Sequence, residues 1–293
     1  MNSLRQIFYC AGINFRKWFT KPQYFILVLL TVQINLVSFL GYTFFCLKTD
    51  SLISPWVLPF MTSGTVPISI YGFLCVLLFC DAPFNDAHTP FVLIRTGKQN
   101  WVLGQLLYIF IASLLFILFY YCIAILVLSP VLGYSSDWGG VIRAAGTNPS
   151  IFRQYDLPLT PQVGLNSWVL QTFSPLSATL FSLLLMWLTT AFAGVLIFAG
   201  NLLVAPGVGT TISMAFVVFS GFATGLGLLL FGSWTYYFSP FLWCILQSYG
   251  SFSGMPPFSY TIAALIFAIL LLSCISTITF CNKDCDIQKG ARK

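Results

Sequence analysis

The chain has 293 residues, 58% hydrophobic and only 7% charged, with seven aspartates, no glutamate and a net charge of +6. A soluble domain of this length carries about 25% charged residues, so an ordinary water-facing surface is excluded and most of the surface has to face hydrocarbon, where charge is costly. The thirteen Lys and Arg residues are too dispersed for the dense basic patch of a nucleic-acid binder.

Residues 1–22 contain Arg5, Arg16, Lys17 and Lys21. On a helical wheel Leu4, Ile7, Phe8, Ala11, Phe15, Trp18 and Phe19 share a face that excludes Arg5, Gln6, Arg16 and Lys17. The pattern predicts an amphipathic helix lying in the membrane interface, with Arg5, Phe8, Phe15, Arg16, Lys17 and Trp18 as its interfacial residues. The apolar run behind it is too long for a cleavable signal and lacks a small-x-small end, so it reads as a first span.

Crossing about 30 Å of hydrocarbon takes about 20 helical residues. Six stretches qualify, near 23–46, 57–80, 101–128, 175–203, 210–231 and 259–281. Pro67 and Gly64 make the start of the second a candidate re-entrant piece. Residues 81–100 are the most polar segment between spans, 130–174 and 232–258 are the long loops rich in aromatic and turn residues, and 282–293 form a polar tail. From Leu157 to Asn282 there is no Asp, Glu, Lys, Arg or His. The predicted fold class is therefore all-α: a polytopic membrane helix bundle of six transmembrane helices plus the N-terminal interfacial helix.

Ten of the thirteen basic residues lie in the N-terminal helix, in 81–100 and in the tail, and the other side holds Lys48, Arg143 and Arg153. The positive-inside rule then places both termini in the cytoplasm of a multi-pass cell-membrane protein. Trp56, Trp138, Trp168, Trp234 and Trp243 fall on the outer side, as an aromatic belt requires. Gly221-x-x-x-Gly225 offers a close helix approach. Most of the nine Cys fall in apolar runs and act as small hydrophobes.

No P-loop, G-x-S-x-G elbow or H-E-x-x-H occurs, and Cys281-x-x-x-Cys285 has no second ligand pair. The chain is expected not to be an enzyme and to bind no metal or cofactor itself. His88, the only histidine, sits by Asp86 in a polar loop. The span centres carry no acid or base, which argues against a proton- or sodium-driven carrier. A pathway through this chain would need energy from elsewhere.

The stretch Phe91-Val-Leu-Ile-Arg95-Thr-Gly-Lys98-Gln-Asn-Trp101-Val-Leu-Gly104-Gln resembles the segment between spans 2 and 3 in permease subunits of ABC-2 type ABC transporters. The layout is similar over nearly the whole chain: basic amphipathic helix, six spans, short inner turn after span 4, aromatic outer segment before span 6. The resemblance implies the transmembrane permease subunit of an ATP-binding-cassette exporter. It implies two such permeases, identical or homologous, in the lipid bilayer, driven by two separate ABC ATPase subunits that hold ATP and Mg. Residues 81–100 would form the coupling segment, with Phe84, Asp86, His88, Phe91, Arg95 and Lys98 as candidate coupling residues. Arg95 and Lys98 would pair with ATPase acids or lipid phosphates, or serve only as positive-inside residues. Two further readings stay open: a non-transporting membrane assembly or sensor subunit, and a passive channel.

Overall fold

The computed structural model describes residues 3–84, 89–155 and 157–290, the last eight as backbone only. Among them the regular elements are helices, in chain order α1 (Ser3–Arg16), α2 (Pro22–Thr49), α3 (Thr65–Phe79), α4 (Thr89–Thr96), α5 (Lys98–Leu128), α6 (Gly140–Thr147), α7 (Ser167–Thr172), α8 (Pro175–Leu203), α9 (Val208–Ala223), α10 (Leu226–Phe231), α11 (Trp234–Tyr237), α12 (Ser248–Ser251) and α13 (Phe258–Gly290). Four of them, α2, α5, α8 and α13, are long and apolar enough to cross a membrane. Their boundaries follow local chemistry. Pro22 and Pro175 open α2 and α8 at positions where a missing N–H costs nothing, and Ser174 Oγ accepts from Ser177 N.

α8 is the axis of the bundle, with two thirds of its apolar span buried. It packs against α13, α9, α5 and α3. Small residues bring the backbones together. Gly200 lies against the backbone of Gly209, and Gly209 in turn lies against the backbone of Ile197, so any side chain at either position would meet main chain. Halfway along, Tyr71 and Thr190 share a hydrogen bond of 2.6 Å, and Cys75 Sγ stands 3.4 Å from the same hydroxyl. All three side chains are fully buried, so each polar atom is answered by its neighbour.

The second and fifth predicted spans differ from expectation. α3 begins only at Thr65, after Gly64 at φ +103°, and residues 58–60 form a single 3-10 turn with Leu58, Phe60 and Met61 within 2% of fully buried. Irregular backbone is tolerated there because protein surrounds it. Likewise α9 stops at Ala223, and Gly225 separates it from α10. At 15 and 16 residues, α3 and α9 are each roughly 23 Å long, short of the hydrocarbon thickness. Of the predicted glycine pair, Gly221 does face α3, beside Ser69 and Thr65, but Gly225 lies outside the helix.

One end of the bundle is closed by a folded cap. Ile53 N donates to Val131 O and Gly133 N to Ile53 O, which zips the segment after α2 to the segment after α5. Trp138, 2% exposed, donates Nε1–H to Phe173 O at 3.1 Å and accepts the Ser54 hydroxyl on its own carbonyl at 2.5 Å. Phe152 packs edge-on against Tyr42 and Phe45 of α2. From the other side Thr62 reaches Cys244 O at 3.3 Å and Asn166 reaches Ser251 at 3.1 Å. Trp138 and Trp243 are therefore buried anchors and not members of an aromatic belt, because each indole N–H finds a protein carbonyl; Trp234 is 72% exposed. On the cap's surface the Arg143 guanidinium bonds to Asp137 and holds that carboxyl below its ordinary range.

Replacing Trp138 by Ala removes a filled volume and the indole bond to the Phe173 carbonyl. Such a change costs about 3–5 kcal/mol. We expect limited proteolysis of W138A to cut within 139–166 at least tenfold faster than in the parent chain.

Candidate functional site

The other end of the bundle gathers the chain's basic segments. Lys98 Nζ stands 5.5 Å from the Phe280 ring and Trp101 packs on the same ring at 5.2 Å, so 95–101 and the end of the last span share this end. α1 joins them, packed along the first half of α5.

Three sectors of α1 do different work. Cys10, Ala11 and Asn14 are buried against the bundle. Asn14 Nδ2 donates to Gln105 Oε1 at 2.5 Å, and the Cys10 side chain lies against Gly104. Leu4 and Phe8 form a second sector, apolar and 70% and 61% exposed. Arg5 and Arg16 lie between that sector and the side facing α4, and both are exposed.

The predicted interfacial residues thus divide. Arg5, Phe8 and Arg16 face outward. Lys17 does not: it is 8% exposed, because α1 ends at Arg16 and the 3-10 turn over Lys17–Phe19 swings its ammonium inward. There Nζ donates to the Phe84 carbonyl at 2.5 Å. Trp18 also turns in, donating to Tyr108 OH at 2.7 Å, and Phe15 meets the Tyr108 ring at 4.8 Å.

Residues 81–84 form an elbow between α3 and the 89–97 segment. Phe84 adopts a left-handed conformation, φ +58°, which costs a residue with a Cβ about 1–2 kcal/mol. The conformation is held from three directions. Lys17 takes the Phe84 carbonyl, and the Phe84 ring, 2% exposed, packs edge-on to Tyr108 at 4.9 Å. Lys21 pairs with Asp81 at 2.5 Å; Gln23, with its amide nitrogen toward the carboxylate, donates to both Asp81 oxygens at 3.0 and 2.8 Å. Asn201, at the end of α8, donates to Ala82 O at 2.7 Å and accepts from Gly209 N, in α9, at 2.8 Å. One elbow is therefore tied to the turn that follows α1, to the start of α2 and to the α8–α9 turn.

Beyond the elbow, α4 lies outside the bundle. Val92, Leu93 and Thr96 turn inward, while Phe91 and Ile94 are 71% and 86% exposed, with Arg95 exposed beside Phe91. Of the predicted coupling residues, Phe91, Arg95 and Lys98 cluster at this end. Phe84 is buried and positions the segment without reaching its surface. Asp86 and His88 lie outside the described residues. Sequence reasoning missed Asn14, Gln105, Asn201 and Asn100, whose one sign was an amide side chain in or beside an apolar run.

No family profile, no curated protein and no solved structure matches this chain.

Losing the Lys17 ammonium leaves the Phe84 carbonyl without its donor in a buried site, a cost of about 1–3 kcal/mol. In K17M, hydrogen–deuterium exchange over 3–19 and 81–97 should quicken about tenfold. R16M, one residue away and exposed, should leave both segments unchanged.

Proposed function

We propose that this chain is the membrane-spanning permease subunit of an ATP-driven exporter, with six crossings, both termini on the cytoplasmic side, and two ATPase subunits docked beneath two permease copies. The observation that carries the reading is the exposed Phe91–Ile94 ridge on α4. It stands at the basic end, on a short helix that the bundle holds only from behind. A large apolar pair presented beside an arginine and outside the spans suits a protein partner. The bundle lacks any charged group within its apolar cores that would couple movement to an ion gradient, so the partner has to supply the energy.

The elbow's ties give the mechanism its path. A displacement of α4 by closing ATPases pulls on 81–84, and through Asp81, Ala82 and Phe84 the same displacement reaches α2, α8–α9 and α1. Those helices would rock as rigid bodies between two states. α3 and α9 complete the six crossings, their missing length made up by the buried turn at 58–60 and by α10. Between α3 and α9 an open groove of about 840 Å3, lined by Phe73, Val76, Met214, Val218 and Phe222, faces away from α8. We assign it to the side shared with the second permease copy, and its apolar lining favours an amphiphilic cargo. The outward-facing Leu4 and Phe8 suit α1 to the membrane interface.

The test is affinity capture of the full-length chain from its native membranes. We expect a P-loop ATPase to co-purify and the isolated permease to hydrolyse no ATP. F91D/I94D should lower ATPase recovery at least tenfold while the protein stays in the membrane. Recovery of other membrane proteins and no ATPase would favour an assembly or sensor subunit.

A further inference from the structure

A cleft of about 80 Å3 opens between α1 and α4, lined by Gln6, Tyr9, Arg95 and Thr96. Its volume is that of a few water molecules, each about 30 Å3 in the liquid, and so fits one small polar group.

The hydrogen bonds around the cleft decide which kind of group. Asn100 Nδ2 donates to the Thr96 carbonyl at 2.9 Å, which fixes the orientation of that amide, and the same nitrogen donates to Gln6 Oε1 at 2.6 Å. Asn100 Oδ1 is taken by Ser3 at 2.7 Å. Gln6 has thus spent its acceptor on Asn100 and keeps its Nε2 donors. Thr96 Oγ1 donates to Val92 O at 2.8 Å and accepts from Cys10 Sγ at 3.8 Å, so its hydroxyl is occupied as well. What remains is donor capacity: the Gln6 amide, the Tyr9 hydroxyl and the Arg95 guanidinium. Arg95 has no counter-ion among the described residues, and Arg5, one turn before Tyr9 on α1, is a second exposed positive charge. Converging donors around a guanidinium, with the nearby acceptors already used, select a compact oxyanion.

We infer that this cleft binds a phosphate group, of an anionic lipid headgroup or as the free ion. The site lies where α1 meets α4, so an occupant joins the N-terminal helix to the helix outside the bundle. The inference needs no ATPase, and its outcome is independent of the exporter reading.

The test uses the full-length chain in nanodiscs of phosphatidylcholine. In one arm phosphatidylglycerol is added and its retention is read by native mass spectrometry. In the other, binding of radiolabelled inorganic phosphate is measured at constant ionic strength. Retention of phosphatidylglycerol identifies the lipid source, and phosphate binding identifies the free ion. In whichever arm binds, R95Q should weaken binding about tenfold and Y9F several-fold. R153Q, which removes an equal charge at the opposite end, should leave it unchanged. R95Q and Y9F should melt with the parent chain in pure phosphatidylcholine, since both side chains are exposed. Absence of binding in both arms, or equal loss in R95Q and R153Q, overturns the inference.

Discussion

An ammonium withdrawn from water needs oxygen close by, and a carbonyl withdrawn from water needs a donor. At Lys17 and Phe84 the two needs are met together, and the arrangement of the whole basic end follows. The bond requires the chain to turn in after Arg16 and requires Phe84 to stay left-handed. Once both hold, Asp81 comes within reach of Lys21, and the Ala82 carbonyl within reach of Asn201. Four segments far apart in sequence then share one fixed point. α4 is thrown outward from that point with its apolar ridge uncovered.

The opposite end solves a different problem. Its segments are long and irregular, and their backbone groups would be expensive in lipid. They are drawn in over α8 and α2 and satisfied by hydroxyls and indoles: Ser54 on Trp138, Thr62 on Cys244, Trp138 on Phe173. Charge is scarce there, and the one pair described, Arg143 with Asp137, sits on the surface where solvent screens it. The two ends therefore differ in kind. One is a closed lid of aromatic packing. The other is a set of polar ties around an exposed helix.

Much of this was legible in the residues. Uncharged runs delimit α2 and α5 to within a few positions, because a charge cannot sit where hydrocarbon lies, while α8 and the start of α13 are marked by Pro175, Pro206-Gly207 and Pro256-Pro257. The same signal fails for α3 and α9. Composition stays apolar through Gly64 and Gly225, so the breaks in the helix are invisible to a hydropathy reading and show only as backbone geometry. The tryptophans misled for a related reason: an indole suits an interface, yet serves equally as a core anchor when a carbonyl such as that of Phe173 or Tyr236 is offered. For the candidate site, the basic residues and Phe91 were named from the sequence, while Ile94, which completes the exposed ridge, was not. Nor were the amides. Asn14 finds Gln105, and Asn201 finds Ala82, across 91 and 119 positions, and pairings of that range depend on the tertiary arrangement.

The first span is finished late. Tyr42 in α2 donates its hydroxyl to the carbonyl of Val163 at 2.6 Å, and Gly41 leaves just enough room for the backbone at Thr160 and Pro161. During synthesis the ribosome has released α2 well before residue 163 exists. Until it arrives, Tyr42 and Phe45 have no cap to pack against, so the nascent helix spends that interval exposed to lipid or held by the insertion machinery. The capped end of the bundle consequently matures only after α5 has been laid down.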